Sequence, residues 1–255
     1  MTLPALLRAQ APETASLRGR VVLITGGAQG LGAAIAQVLG ESGARVVLAD
    51  PALERAEDWA AVLAERDIDV MALRLDLRDV QACERTVAAV HRRFGRLDAL
   101  VNNAAFEIAA PLAELSVEQI HGAITSQLAG PFVMAKLCAP LMAAQTGGGH
   151  IVNIAPHASR SVGPHASVCH ATKWGLLGLS QALQAELEPQ GVKVCAIVAG
   201  GLRTPFMLER FPELDPDRLQ DPLHVARVVR FVLLQPGETA IHELSVLPAG
   251  ETCAA

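Results

Sequence analysis

From Arg20 onward the chain alternates between short, almost uninterrupted apolar runs and longer Ala/Leu-rich stretches with helical spacing. No other feature of the sequence restricts the fold as much. The runs are Val21–Thr25, Arg45–Ala49, Val70–Leu75, Ala99–Val101, His150–Ile154, Val192–Val198 and Leu244–Leu247. A strand that is apolar at successive positions must be covered on both faces, which suits a parallel sheet between helical layers. The spacing predicts helices over 31–41, 51–65, 79–94, 116–144, 166–188 and 223–235. In the fifth of these, Leu176, Leu179, Leu183 and Leu187 form one apolar stripe, and Pro189 and Gly191 end it. Asp221-Pro222 opens the last in the pattern expected of a helix N-terminus. The alternation therefore predicts a single α/β domain over 19–255, a doubly wound parallel sheet flanked by helices. Residues 1–18 carry no such rhythm and read as an N-terminal extension. The segment 201–222, with Pro205, Pro212 and Pro216, interrupts it and reads as a substrate loop or lid.

Composition narrows the partners. A net charge of −5 offers no basic patch for nucleic acid. No apolar run reaches membrane-spanning length, and the first residues lack the pattern of a signal peptide. The five cysteines (Cys83, Cys138, Cys169, Cys195, Cys253) are scattered, without Cys-x-x-Cys. They read as reduced thiols of a cytoplasmic protein rather than a zinc site or a disulfide framework. No metal is expected. Tyrosine is absent from all 255 residues, so no mechanism can use a phenol.

The first strand runs directly into Gly26-Gly27-Ala28-Gln29-Gly30-Leu31-Gly32 and a helix. Gly26 allows a tight turn, Gly30 lets backbone approach a pyrophosphate, and Gly32 lets the helix pack on the sheet. The free N–H groups of the new helix then face the anion. The second strand ends in Asp50, 18 residues past Gly32. A carboxylate there accepts adenosine ribose hydroxyls and repels a 2′-phosphate. Ala28 and Pro51 occupy the neighbouring places where a cation would welcome that phosphate. NAD is therefore expected over NADP.

These residues resemble the short-chain dehydrogenase/reductase family over about residues 18–250. Thr25 and Gly26 with Gly30 and Gly32 match its TGxxxGxG cofactor loop, in which Gln29 and Leu31 also lie. Asp76-Leu77 resembles the pair that reads the adenine. Asn102-Asn103-Ala104-Ala105 is similar to the segment after the fourth strand, with Ala105 in place of Gly. Ala199-Gly200, then Leu202 and Thr204, resembles the stretch that holds the nicotinamide carboxamide. The resemblance implies a Rossmann-type fold, a dinucleotide site and a small alcohol or carbonyl substrate. It also implies a homodimer or homotetramer built on the fourth and fifth helices.

The family's catalytic groups are a Ser, a Tyr with a Lys four residues later, and an Asn. Only the Lys is kept, as Lys173 in His170-Ala171-Thr172-Lys173. Cys169 stands at the Tyr position, Pro156 at the Ser position, and Gln127 at the Asn position. Cys169 and Lys173 share a helix face at i, i+4. A thiol sulfur lies about 4 Å short of where a phenol oxygen would reach, a gap that a water fills. Cys169 reads either as a replacement acid/base or as a small buried thiol. Pro156 ends the Ser role, having neither a side-chain donor nor an N–H. Gln127 keeps an amide that orders a water or only packs. His157, at the mouth of the site, and His165, before the fifth helix, are candidate replacement acids or loop histidines. His170 points off the Cys169/Lys173 face and reads as structural. Phe106, Phe206, Met207 and Phe211 suggest an apolar substrate region or lid packing. Three readings follow: an NAD-dependent oxidoreductase with a rebuilt site, an inactive dinucleotide-binding subunit of a hetero-oligomer with an active paralogue, or a catalyst of a non-redox step.

Overall fold

The apolar runs become seven parallel strands of one sheet: β1 (Val21–Thr25), β2 (Arg45–Asp50), β3 (Val70–Arg74), β4 (Ala99–Asn102), β5 (Gly149–Pro156), β6 (Val192–Ala199) and β7 (Glu243–Val246). Their spatial order is β3-β2-β1-β4-β5-β6-β7. The computed structural model describes residues 16–105, 108, 110–157, 165–210, 212 and 215–249. Most of the extension 1–18, together with Phe106, Phe211 and Cys253, lies outside them.

The helices are α1 (Gly30–Glu41), α2 (Leu53–Ala64), α3 (Val80–Phe94), α4 (Val117–Ile124), α5 (Gly130–Ala143), α6 (Ser167–Leu187), α7 (Pro205–Arg210) and α8 (Pro222–Leu233). Side chains of a strand alternate between faces. Val22 and Ile24 of β1 therefore join one core layer, with α1, α2 and α8. Val21 and Leu23 join the other, with α3, α5 and part of α6. Strands β1 and β4 are buried from end to end and the edge strands β3 and β7 only partly, as their places in the sheet order require.

One expectation is corrected. The single helix predicted over 116–144 is broken by a π-helical turn at Thr125–Ala129 between α4 and α5. One extra residue per turn leaves apolar spacing almost unchanged, so periodicity does not reveal it. The segment 201–222 carries short structure of its own. Thr204 Oγ1 accepts the Met207 N–H at 3.3 Å and Pro205 starts α7. A parallel bridge, Leu202↔Gln220, closes the two ends of the segment on each other.

Neighbouring connections leave the sheet in opposite directions between β1 and β4. In open sheets of this kind ligands enter at the carboxyl ends of such strands. Gly26 and Asn103 follow β1 and β4 there.

Candidate functional site

The turn after β1 is set by backbone geometry. Gly26 and Gly30 adopt φ of +64° and +54°, which side chains with a Cβ rarely adopt. A Cβ on Gly32 would collide with the Gly26 carbonyl and lie 2.7 Å from Asn103 Nδ2, so only glycine lets α1 start against its own turn. Gln29, the residue before α1, is extended and makes no side-chain cap, and no acid lies in the first turn. The N–H end of this twelve-residue helix is thus left for an external anion.

Thr25 is fully buried and acts on the loop from below. Its Oγ1 accepts the Asn103 and Ala104 N–H groups at 3.1 and 3.2 Å. Asn103 Nδ2 donates in return to the carbonyls of Thr25 and Gly26 at 3.1 and 3.0 Å. These bonds fasten the loop after β4 to the loop after β1, with Ala104 and then exposed Ala105 beyond them. From the far end of the chain, buried Thr204 comes up against the same turn. Its Cγ2 lies 3.4 Å from where a Gly30 Cβ would stand. Leu202, half-buried, lies two residues before it at the bridged root of the 201–222 segment. Gln220, unremarked in the sequence, holds that root by donating to the Val246 carbonyl at 2.9 Å.

Asp50 ends β2 with both oxygens engaged: Oδ2 accepts from Ala28 N at 3.3 Å and Oδ1 from Ala52 N at 3.0 Å. Beyond β3, Asp76 is forked by the Arg78 guanidinium at 3.1 and 2.7 Å, a hydrogen bond that holds its carboxyl below the usual range. Leu77 is buried next to Gly130 of α5, where a Cβ would lie 2.7 Å from Leu77 Cβ. The fold also brings in a residue that sequence order hides. Arg55, in the first turn of α2, donates from Nη1 to Gln29 Oε1 at 2.7 Å. Its only sequence signal is its place, five residues past Asp50.

The other half of the site is formed by β5, the π-helical turn and α6. His150 N donates to Asp98 on the β4 side of β5, and alternate residues face the same side. The Pro156 nitrogen faces that side too, three residues past the last β4 pair, Asn102↔Asn153. No ladder bond is lost there, which is why this strand end admits a proline. His157 follows and is buried, 7% exposed. His165 is exposed with φ +64°, and its carbonyl accepts from Ala110 N at 3.0 Å. His170 Nδ1 lies 2.9 Å from the Ala166 carbonyl, in keeping with a structural role.

On α6, Thr172 Oγ1 donates back to the Cys169 carbonyl at 2.9 Å. Lys173 is 2% exposed, and no hydrogen bond or carboxylate meets its ammonium among the described residues. Burial pushes its pKa down to about 8, with Cys169 opposing weakly. Gly175, one position past Trp174, lets Leu128 of the π-helical turn press on α6, since a Cβ would lie 2.8 Å from Leu128 Cδ2. Gln127 precedes Leu128. It is 2% exposed, and its Oε1 has no hydrogen-bond partner among the described residues. Behind them a polar chain crosses the core. Asn102 Nδ2 donates to Asn153 Oδ1 at 2.8 Å, and Asn153 Nδ2 to Ser180 Oγ at 2.8 Å.

No disulfide joins the described cysteines, and burial pushes the thiols of Cys83 and Cys195 up to about 11 and 12. Among the described residues no group of three or more His, Cys, Asp or Glu side chains is placed to hold a metal. No described helix is long and apolar enough to cross a membrane.

Comparison with known proteins matches this architecture. The sequence model of the short chain dehydrogenase family covers residues 20–215. An uncharacterised oxidoreductase of Thermotoga maritima is 32% identical over 85% of this chain and 89% of its own. D-threitol dehydrogenase of Mycolicibacterium smegmatis is 37% identical over 71% of this chain and 69% of its own. A metagenomic short-chain oxidoreductase, solved in complex with NADP, superposes with a TM-score of 0.81. It is 28% identical and covers 92% of this chain and 99% of its own. These matches identify the family: the chain belongs to the short-chain dehydrogenases.

Proposed function

We propose that the chain is an oxidoreductase that takes NAD(H) and acts on a small alcohol or carbonyl substrate, with Lys173 handling the proton that a phenol would otherwise handle. The observation that carries this reading is the cradle at the start of α1. Its helix end is uncapped, Gly26 and Gly32 are in backbone contact, and a carboxylate sits against Ala28. The residues present fit a nicotinamide dinucleotide, which supplies a hydride acceptor or donor when bound. Gly26 to Gly32 would hold the pyrophosphate and Asp50 the adenosine ribose. Asp76 and Leu77 would border the adenine, Asn103 to Ala105 the middle of the crevice, and Leu202 and Thr204 the nicotinamide end. The D-threitol dehydrogenase relative supports an alcohol substrate, and the NADP-bound structure supports a dinucleotide.

Within the chain, Lys173 is the proton-handling group. With a pKa near 8, its Nζ gives up or takes a proton at moderate pH. Cys169 shares its helix face at i, i+4. The unpartnered Gln127 Oε1 offers an acceptor for an ordered water, which would extend the reach of the short thiol. His157 is a second acid/base candidate, one residue beyond Pro156. Phe132 and Trp174, each about half exposed on α5 and α6, support assembly into a homodimer or homotetramer on these helices. The reading places the protein in the cytoplasm.

The test is to titrate the pure protein with NAD+ and NADH and then screen alcohols and ketones for absorbance change. Micromolar binding together with turnover of some member of the panel is expected. Binding without any turnover would sink the oxidoreductase and leave an inactive dinucleotide-binding subunit. In that case Cys169→Tyr, Pro156→Ser and Gln127→Asn together should create activity if only the catalytic groups are missing.

A further inference from the structure

Cys169 is the most exposed of the described cysteines, at 9%, and lies in the first turn of α6. Cys83, Cys138 and Cys195 are packed into the two core layers, where burial pushes their thiols up. The start of α6 has no side-chain cap and no acid in its first turn. Buried Lys173 stands one turn further along the same face. A helix N-terminus and an adjacent ammonium both favour a thiolate, the form of cysteine that attacks carbon. Gln127 belongs to the π-helical turn that presses on α6 at Gly175. It is buried, and its Oε1 has no hydrogen-bond partner among the described residues, which suits a bound water. Pro156 has no side-chain donor to hold a substrate oxygen. A covalent bond to the substrate takes over that holding role, and it needs no reach beyond the sulfur.

We infer that Cys169 is a nucleophile toward aldehydes, and that the chain oxidises an aldehyde to its carboxylate through a thioester on Cys169. The inference rests on the dinucleotide site proposed above, which supplies the oxidant. The sulfur bonds the carbonyl carbon, its proton passes to Lys173 Nζ, and the carbonyl π pair moves onto oxygen. The carbonyl re-forms as hydride leaves that carbon for the oxidised nicotinamide, which is reduced. A water held at Gln127 Oε1 then adds to the thioester, and the C–S bond breaks. One water proton returns to sulfur; the other, with the proton on Lys173, leaves to solvent. Aldehyde, water and NAD+ thus become carboxylate, NADH and two protons.

An activated ester, p-nitrophenyl acetate, tests the sulfur without any dinucleotide. The full chain, in a Cys253→Ser background, should release p-nitrophenol in a burst of about one equivalent. Mass spectrometry should then find a hydroxylamine-labile acetyl group on the peptide that holds Cys169. Cys169→Ser should slow the burst about tenfold or more. With NAD+ and a short aliphatic aldehyde, the chain should form NADH and carboxylate in equal amounts, and an acid quench should retain the acyl group on Cys169. No labile acetyl group on Cys169 in the otherwise unaltered chain would overturn the inference. NADH formed from alcohols, with no carboxylate from any aldehyde, would also overturn it while leaving the oxidoreductase standing. Acetylation of Cys169 in a chain that binds no NAD+ would overturn the dinucleotide site, and the aldehyde oxidation with it.

Discussion

The two halves of the crevice are built differently. The half that would hold a dinucleotide is shaped by backbone: glycines at positive φ, a helix end without a cap, and a buried Thr25 hydroxyl bonded to main-chain N–H groups. The half expected to do chemistry depends on side chains, those of Pro156, Cys169, Gln127 and Lys173. A backbone-built site tolerates few substitutions, because each glycine answers a steric demand. A side-chain site can be exchanged without moving the fold, and here it leaves a buried lysine and, among the described residues, an amide oxygen of Gln127 without a partner.

The comparison breaks first, if it is wrong, at Thr25. Thr25→Val keeps the shape but leaves the Asn103 and Ala104 N–H groups without their acceptor. It should cost as much as about 4 kcal/mol and weaken NADH binding, read by chemical denaturation and titration. Lys173→Met should do the reverse to stability. Its folded pKa of about 8 lies below the ordinary 10.5, so below pH 8 the folded state bears the full penalty of a buried charge, about 3 kcal/mol. Between pH 8 and 10.5 the folded state sheds the proton first and the penalty disappears. The variant should thus gain about 3 kcal/mol at pH 7, gain progressively less across that window, and lose turnover. A destabilised Lys173→Met at pH 7 would mean that the lysine is compensated after all.

Two smaller changes sharpen the contrast. Gly30→Ala forces a Cβ onto φ +54° and should cost about 1–2 kcal/mol, with a matching loss of dinucleotide affinity. Gln127→Leu removes the orphaned oxygen while keeping much of the volume. Thermal melts should show it neutral or more stable by about 1 kcal/mol, whereas turnover should fall if that oxygen holds a catalytic water.

The sheet was readable from sequence because parallel strands buried on both faces leave long apolar runs. Every predicted run became a strand, displaced by at most two residues at an end, as for Gly149–Pro156. The glycine turn was readable because its requirements are local. Contacts that depend on folding back were not. Nothing near Arg55 in sequence announces Gln29, and nothing near Gly30 announces Thr204. The burial of His157 is not legible in sequence, because a histidine after a strand suggests a wet loop. The empty tyrosine column pointed to position 169. The burial of Lys173 appeared only in three dimensions.

The π-helical turn at Thr125–Ala129 also sets the angular phase of the rod it interrupts. Each residue of an α-helix advances about 100°, and the wider π-helical turn takes in one surplus residue while keeping α4 and α5 in nearly the phase that an unbroken helix would give them. Of α4 only Ala123 is buried, while α5 buries Met134, Ala135, Cys138, Ala139 and Met142 against the sheet. A deletion of one residue elsewhere in α4 or α5, with no wide turn to absorb it, would swing α4 by roughly a quarter of a circle. Gln127 would leave its place beside α6, and α4 would present a different side to the protein. The length of this segment is therefore itself under constraint, independently of which residues fill it.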